Sequence, residues 1–157
     1  MKTPVIVAAK RTAIGTFAGI FSNTSTVELG TAALKGVIRE AGIDPASIDE
    51  VITGNILSAG LGQNVSRQIA LGAGCPVEVP AYGINKLCGS GLKSVALAAQ
   101  AIMLGDADIV AAGGAENMSM TPYALPSYRK GGRLGNGEVI DLILKDGLTD
   151  VFNDYHM

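Results

Sequence analysis

Tryptophan is absent from this chain, and histidine occurs once, at position 156. With a single histidine, a histidine-rich metal centre is excluded, and a serine nucleophile has no well-placed imidazole to activate it. Cysteine is nearly as scarce. Cys75 and Cys88 stand in unlike contexts, with neither a disulfide framework nor metal-ligand spacing, so no metal is expected and a reducing, cytoplasmic compartment is. Charged residues make up only 17% of the chain against 48% hydrophobic, and the net charge is -2. That balance speaks against bulk affinity for nucleic acid or an anionic membrane. The apolar stretch after Met1 is too short for a signal peptide, and no run is expected to reach the roughly 20 residues of a membrane span. What remains is 157 residues with more to bury than to solvate, enough for one domain with a real core.

Apolar periodicity divides the chain into alternating elements. Val5 to Ala9 is a continuous apolar run, expected as a first, centrally placed strand. Ser25 followed by Glu28 is a capping box opening a helix whose face carries Leu34, Val37, Ile38 and Ala41, with Gly42 as its stop. Asp44-Pro45 supplies turn chemistry, Val51 to Leu57 reads as a second strand, and Gln63 to Ala73 as a second helix ended by Gly74-Cys75-Pro76. Cys75, among terminator residues, is expected to be structural. Ala81 to Ile84 is a short strand and Ile109 to Gly113 a further one. Strands alternating with helices predict an α/β fold, mostly parallel, with helices as crossovers. From Asn117 the period is lost. The basic cluster Arg129, Lys130 and Arg133 reads as a solvated loop more readily than as a phosphate site. A short helix is expected from Asp141 to Gly147.

The chemistry concentrates at Asn85-Lys86-Leu87-Cys88-Gly89-Ser90-Gly91. These residues join the short strand to a helix in which Leu92, Val95, Ala96, Ala99, Ile102 and Met103 recur at helical spacing, so Cys88 is expected at a strand-to-helix turn. Unpaired N–H groups at a helix N-terminus favour a thiolate, which is the nucleophilic form, and can also point at a developing oxyanion. Gly89 and Gly91 leave room for a substrate to approach the backbone. The arrangement is the cysteine counterpart of a serine nucleophile elbow. Against it stands the reading of Cys88 as a small buried hydrophobe. Ser90 is a weaker nucleophile candidate, for want of a base. Neither Gly60-Leu61-Gly62 nor Gly89-Ser90-Gly91 continues into a dinucleotide fingerprint, and Gly131 to Gly137 lacks the Lys-Ser/Thr of a phosphate loop. The helix from Gly91 to Gly105 carries Lys93 as its only charge and is apolar nearly all round, so it is expected to be buried on every side, under a second layer from elsewhere.

With these residues in view the chain resembles the N-terminal part of the thiolase family, of the acetyl-CoA C-acetyltransferase type. The resemblance rests on Arg11-Thr12 to Gly15, Gly62-Gln63-Asn64 with Arg67-Gln68, Asn85 to Gly91, Gly113 to Ser119, Pro122-Tyr123, Asp146-Gly147-Leu148 and His156-Met157. It implies that residues 1–117 are a thiolase-like α/β domain and 118–157 the start of a loop domain with a tetramerisation segment near Tyr123 to Asp141. It also implies an acyl transfer in which Cys88 is the nucleophile and gives an oxyanion-hole N–H, while Leu148, His156 and Met157 line the acyl and pantetheine pocket. Acetyl-CoA and acetoacetyl-CoA would be the substrates, with coenzyme A as substrate or product and no permanently bound cofactor. A homo-oligomer, dimer or tetramer, and a place in fatty acid metabolism are further implications. The family's activating histidine, water-holding asparagine and second cysteine belong to a C-terminal half that is not found in these residues, so the 157-residue chain alone is expected to be inactive. The alternatives are a condensing enzyme of the ketoacyl-synthase type and a non-catalytic assembly or lipid-binding module on the same scaffold.

Overall fold

The structure is a computed structural model that describes residues 2–157. Its centre is a parallel sheet of three strands, β1 (Glu50–Gly54), β2 (Ala81–Ile84) and β3 (Val110–Gly114), in the order β2-β1-β3. Register runs Val51 to Ala81 and Gly54 to Ile84 on one side of β1, and Val51 to Ala111 and Gly54 to Gly114 on the other. The crossover helix α2 (Val65–Gly72) leads from β1 to β2, and α3 (Ser90–Leu104) leads from β2 back across β1 to β3. These crossovers step in opposite directions, and right-handed connections therefore place α2 and α3 on opposite faces.

One layer is the core expected from the sequence. The helix α1 (Thr26–Ala41) opens on the Ser25 and Glu28 capping box and stops at Gly42, in the left-handed conformation at φ 66°. It packs on α2, and Leu34, Ile38, Val51, Val65, Ile69, Ala70 and Cys75 form one buried cluster. The helices cross closely at Gly30, where an added Cβ would lie 2.9 Å from Ile69 Cγ1. Arg67 fastens α2 to the loop before β2, donating to Val77 O and Val79 O at 2.6 Å each.

The other layer is α3, and here the expectation of burial on every side is not met. The helix lies on the sheet by a stripe of small residues, Ser90, Ser94 and Ala98, while Leu92 and Leu104 are 79% and 75% exposed. Small side chains at four-residue spacing let the helix axis approach the strands, which leaves the larger apolar residues pointing away. No described residue covers them. By length and hydropathy alone the window Leu87–Leu104, 18 residues long, passes as a membrane span, contrary to the expectation from the sequence. In the fold, one of its buried serines, Ser94, donates to Gly113 O of the sheet, and the other, Ser90, bonds the turn that precedes the helix.

The first strand expected at Val5 to Ala9 is also corrected. Among the described residues that segment pairs with no strand, and Val5, Ile6 and Val7 are each more than 70% exposed. Apolar composition makes a strand only where a ladder in register is offered; here ion pairs of Lys2 with Asp108 and Lys10 with Glu40 flank the run. The second strand ends at Gly54 rather than Leu57, because Asn55 to Leu57 turn out to meet Glu116. Beyond Asn117 the chain closes a short antiparallel pair, β4 (Tyr123–Ala124) with β5 (Ile140–Asp141), and Arg129, Lys130 and Arg133 are exposed in the loop between them. The helix expected from Asp141 to Gly147 is a wide π-type turn over Leu144–Leu148.

Two predictions follow from the backbone. A Cβ on Gly54 would lie 2.6 Å from the Gly91 nitrogen, whereas one on Gly42 meets nothing within 4 Å. Gly54→Ala should therefore destabilise by about 3 kcal/mol and Gly42→Ala by only about 1 kcal/mol, read from urea midpoints. Equal effects would contradict the close approach. Asp49 accepts from Ile109 N–H at 2.9 Å and Asp108 N–H at 2.8 Å, and these bonds hold its carboxyl below the ordinary value of 3.8. A lowered folded-state pKa adds stability above pH 3.8 that is lost as pH falls through the lower value. Below pH 3.8 the melting temperature of the native chain should fall more steeply than that of Asp49→Asn.

Candidate active site

All three parallel strands end at one edge of the sheet, and each is followed by a loop with polar side chains: Asn55 after β1, Asn85 to Gly89 after β2, and Ala115 to Asn117 after β3. The crevice outside the carboxyl ends of parallel strands is where α/β folds place their ligands. Asn55 N–H donates to Ile84 O at 3.1 Å and Ala115 N–H to Gly54 O at 3.0 Å, so the loops leave the sheet side by side.

The middle loop carries Cys88. Its thiol is exposed, one residue before Gly89, the N-cap of α3. Leu87, just before it, has φ 49°, in the left-handed region that a branched side chain seldom adopts. Three local hydrogen bonds hold this shape: Leu87 N–H to Asn85 Oδ1 at 2.9 Å, Ser90 N–H to Leu87 O at 2.9 Å, and Ser90 Oγ–H to Leu87 O at 2.6 Å. Ser90 Oγ in turn accepts from Lys86 N–H at 2.8 Å. The cysteine thus sits at a tight strand-to-helix turn.

The start of α3 differs from the other helix starts. α1 is capped by Ser25 and α2 by Asn64, each accepting a backbone N–H, but Gly89 offers α3 no side-chain cap. N–H donors in that first turn are not taken up by a capping side chain, and such groups bind anions. The turn is pressed against the sheet. A Cβ on Gly114 would lie 3.2 Å from Gly91 Cα, and Ser94 Oγ lies 2.7 Å from Gly113 O.

Cys75, by contrast, is 4% exposed, and burial pushes its thiol above the ordinary value. Its structural role agrees with the sequence reading. Leu148, His156 and Met157 are brought together near the chain's end: Met157 N–H donates to Leu148 O at 2.9 Å, and His156 bridges to Thr149. Among the described residues no hydrogen bond joins this group to the Cys88 turn. Leu148 also lines a groove of about 570 Å³, formed with the loop from Thr12 to Phe17, with Met118 and with Leu144; Cys88 is not part of its lining.

A profile of the thiolase N-terminal domain matches residues 4–157. The chain belongs to the thiolase family. An acetyl-CoA acetyltransferase of Pseudomonas aeruginosa is 51% identical over 157 residues, which are 100% of this chain and 40% of that protein. One of Allochromatium vinosum is 56% identical over 153 residues, 98% of this chain and 39% of its own length. One of Escherichia coli is 54% identical over 158 residues, again 100% and 40%. The thiolase chain therefore spans about 40% of the length of these curated relatives.

The thiolase motifs acquire physical roles that the sequence did not disclose. Glu116 accepts from Asn55 Nδ2 at 2.8 Å, Ile56 N–H at 2.8 Å and Leu57 N–H at 3.2 Å, tying the loop after β1 to the loop after β3. Asn117 Nδ2 donates to Phe21 O at 2.8 Å and Thr24 O at 2.6 Å. Gln68 Nε2 holds Leu61 O at 2.8 Å and Gln63 O at 2.9 Å. In the sequence these residues stand out as motif members only; Ala115-Glu116-Asn117, one residue past the expected strand, is the available signal for a loop clamp.

Two outcomes test this geometry. Iodoacetamide should label Cys88 in the native protein and Cys75 only on unfolding; equal labelling would contradict the burial difference. Glu116→Gln replaces an acceptor oxygen with a donor and should cost about 2 kcal/mol. Hydrogen exchange should show Ile56 and Leu57 losing protection first.

Proposed function

We propose that this thiolase chain carries the nucleophile of an acyl transfer between coenzyme A thioesters. The observation that carries the reading is an exposed cysteine at the N-terminus of α3, which no side chain caps, on the carboxyl edge of a parallel sheet. In the acylation step the Cys88 thiolate attacks the carbonyl carbon of acetyl-CoA. The oxyanion that forms is stabilised by N–H groups of the turn, the Cys88 N–H among them, and its collapse expels CoA thiolate and leaves the acetyl group on Sγ. In the second step a base removes a methyl proton from another acetyl-CoA. The enolate attacks the acetyl carbonyl, a carbon–carbon bond forms, and Cys88 leaves as thiolate with acetoacetyl-CoA as product. Thiolysis is the reverse.

The names of the relatives support acetyl-CoA as the acyl donor. Leu148, His156 and Met157, gathered by the backbone pairing described above, are assigned to the wall of the acyl and pantetheine pocket. His156 is exposed, and its Nδ1 lies 2.6 Å from Met157 O, a poor placement for the base of the second step. That base is assigned to residues outside these 157. The same reading divides the chain into 1–117 and a loop region 118–157, with homo-oligomers, a cytoplasmic location and fatty acid metabolism as its setting.

The test is thiolytic cleavage of acetoacetyl-CoA by the 157-residue chain, alone and co-expressed with the C-terminal remainder of the Escherichia coli relative. No turnover is expected from the chain alone. Turnover is expected from the pair, and Cys88→Ala should lower it by several orders of magnitude. Turnover by the chain alone would place the base within it, and an active Cys88→Ala pair would remove the cysteine from the chemistry.

A further inference from the structure

Ser90 is not a nucleophile candidate on this geometry. It is 4% exposed, beneath the turn rather than on it, and a Cβ on Gly54 would lie 2.7 Å from its own Cβ. Its hydroxyl is engaged on both sides, accepting from Lys86 N–H at 2.8 Å and donating to Leu87 O at 2.6 Å. Both partners belong to the turn that precedes Cys88, and one of them, Leu87 at φ 49°, is the residue of that turn with a left-handed backbone.

We infer that Ser90 is a positioning residue for Cys88, its hydroxyl locking Leu87 in the left-handed conformation that turns the thiol out at the start of α3. The inference rests on the reading of Cys88 as the acyl acceptor. A left-handed leucine is strained and persists only where its surroundings over-determine it. Leu87 makes little use of packing for that purpose, since its side chain is 52% exposed. The hydrogen bonds to Lys86 and Leu87 do the holding, and two of them come from one buried hydroxyl. Without it the Lys86 N–H loses its acceptor, Leu87 relaxes to negative φ, and Cys88 moves off the helix axis.

The experiment compares the native chain with Ser90→Ala and with Ser90→Ala combined with Leu87→Gly. Glycine adopts positive φ freely, so it supplies the turn conformation without the hydroxyl. Two readouts are taken on each: the backbone conformation of residue 87 from its Cα and amide chemical shifts, and the rate at which acetyl-CoA acetylates Cys88. Ser90→Ala should lose the left-handed signature at Leu87 and acetylate about tenfold more slowly. The double variant should regain the signature and most of the rate. Cys75 should stay protected from iodoacetamide in both. The proposal is overturned if Ser90→Ala keeps the left-handed signature, if Leu87→Gly restores no acetylation, or if Cys75 becomes labelled in both variants, which would make Ser90 a support of the whole fold. A native chain that takes no acetyl group sinks the acyl-acceptor reading instead, and the shifts at residue 87 still decide whether Ser90 sets the turn.

Discussion

The close approach of backbone to backbone where α3 begins is the constraint on which the candidate site depends. Gly54 ends the central strand, Gly114 ends its neighbour, and both meet the first turn of α3 at Gly91; a side chain on Gly54 would strike main-chain atoms that cannot give way. Bringing a helix start this near to the strand ends fixes where the preceding turn must lie. Cys88 is therefore delivered to the carboxyl edge of the sheet by steric exclusion. The buried hydroxyls of Ser90 and Ser94 complete the attachment by taking up backbone groups on the turn and on β3.

Around that contact, polar side chains do for the loops what the glycines do for the helix. Glu116 gathers the amides after β1, Asn117 the carbonyls of the loop before α1, and Asn64 and Arg67 the chain leading into β2. Each bond costs little to make and much to leave unmade where the groups are shielded from water. Of these, Glu116 and Asn117 lie at the carboxyl edge and tie its loops in place, which suits a site whose parts must keep their spacing while substrates exchange, whereas Asn64 and Arg67 fasten the chain where it enters the sheet.

Much of this was legible in the residues. The Ser25 and Glu28 box and the Gly42 stop bounded α1, because caps act through local hydrogen bonds that spacing alone specifies. β2 was found at its observed bounds, and the parallel pairing of the strands followed from alternation of strand and helix. Val5 to Ala9 misled because hydropathy reports a wish for burial and says nothing of a partner in register. Leu92 and Leu104 misled in the same way: α3 rests on its smallest side chains, so its largest ones remain outside. The glycine contact, the left-handed Leu87 and the clamp by Glu116 were out of reach, since each depends on segments distant in sequence or on a backbone angle. At the site itself, Cys88 and its turn were evident from the pattern around them, while Ser90 was seen only as a rival nucleophile and not as the hydroxyl beneath the turn.

The measurement that bears most directly on the central claim is a peptide-resolved mass of the chain after incubation with acetyl-CoA at mildly alkaline pH. Thioester exchange requires only a thiolate in the right place, so it does not depend on the base that condensation needs. One acetyl group on Cys88, none on Cys75, and none in Cys88→Ala is the predicted result. An unacetylated Cys88 that iodoacetamide still alkylates would contradict it, because the thiol would then be exposed without being placed to accept an acyl group.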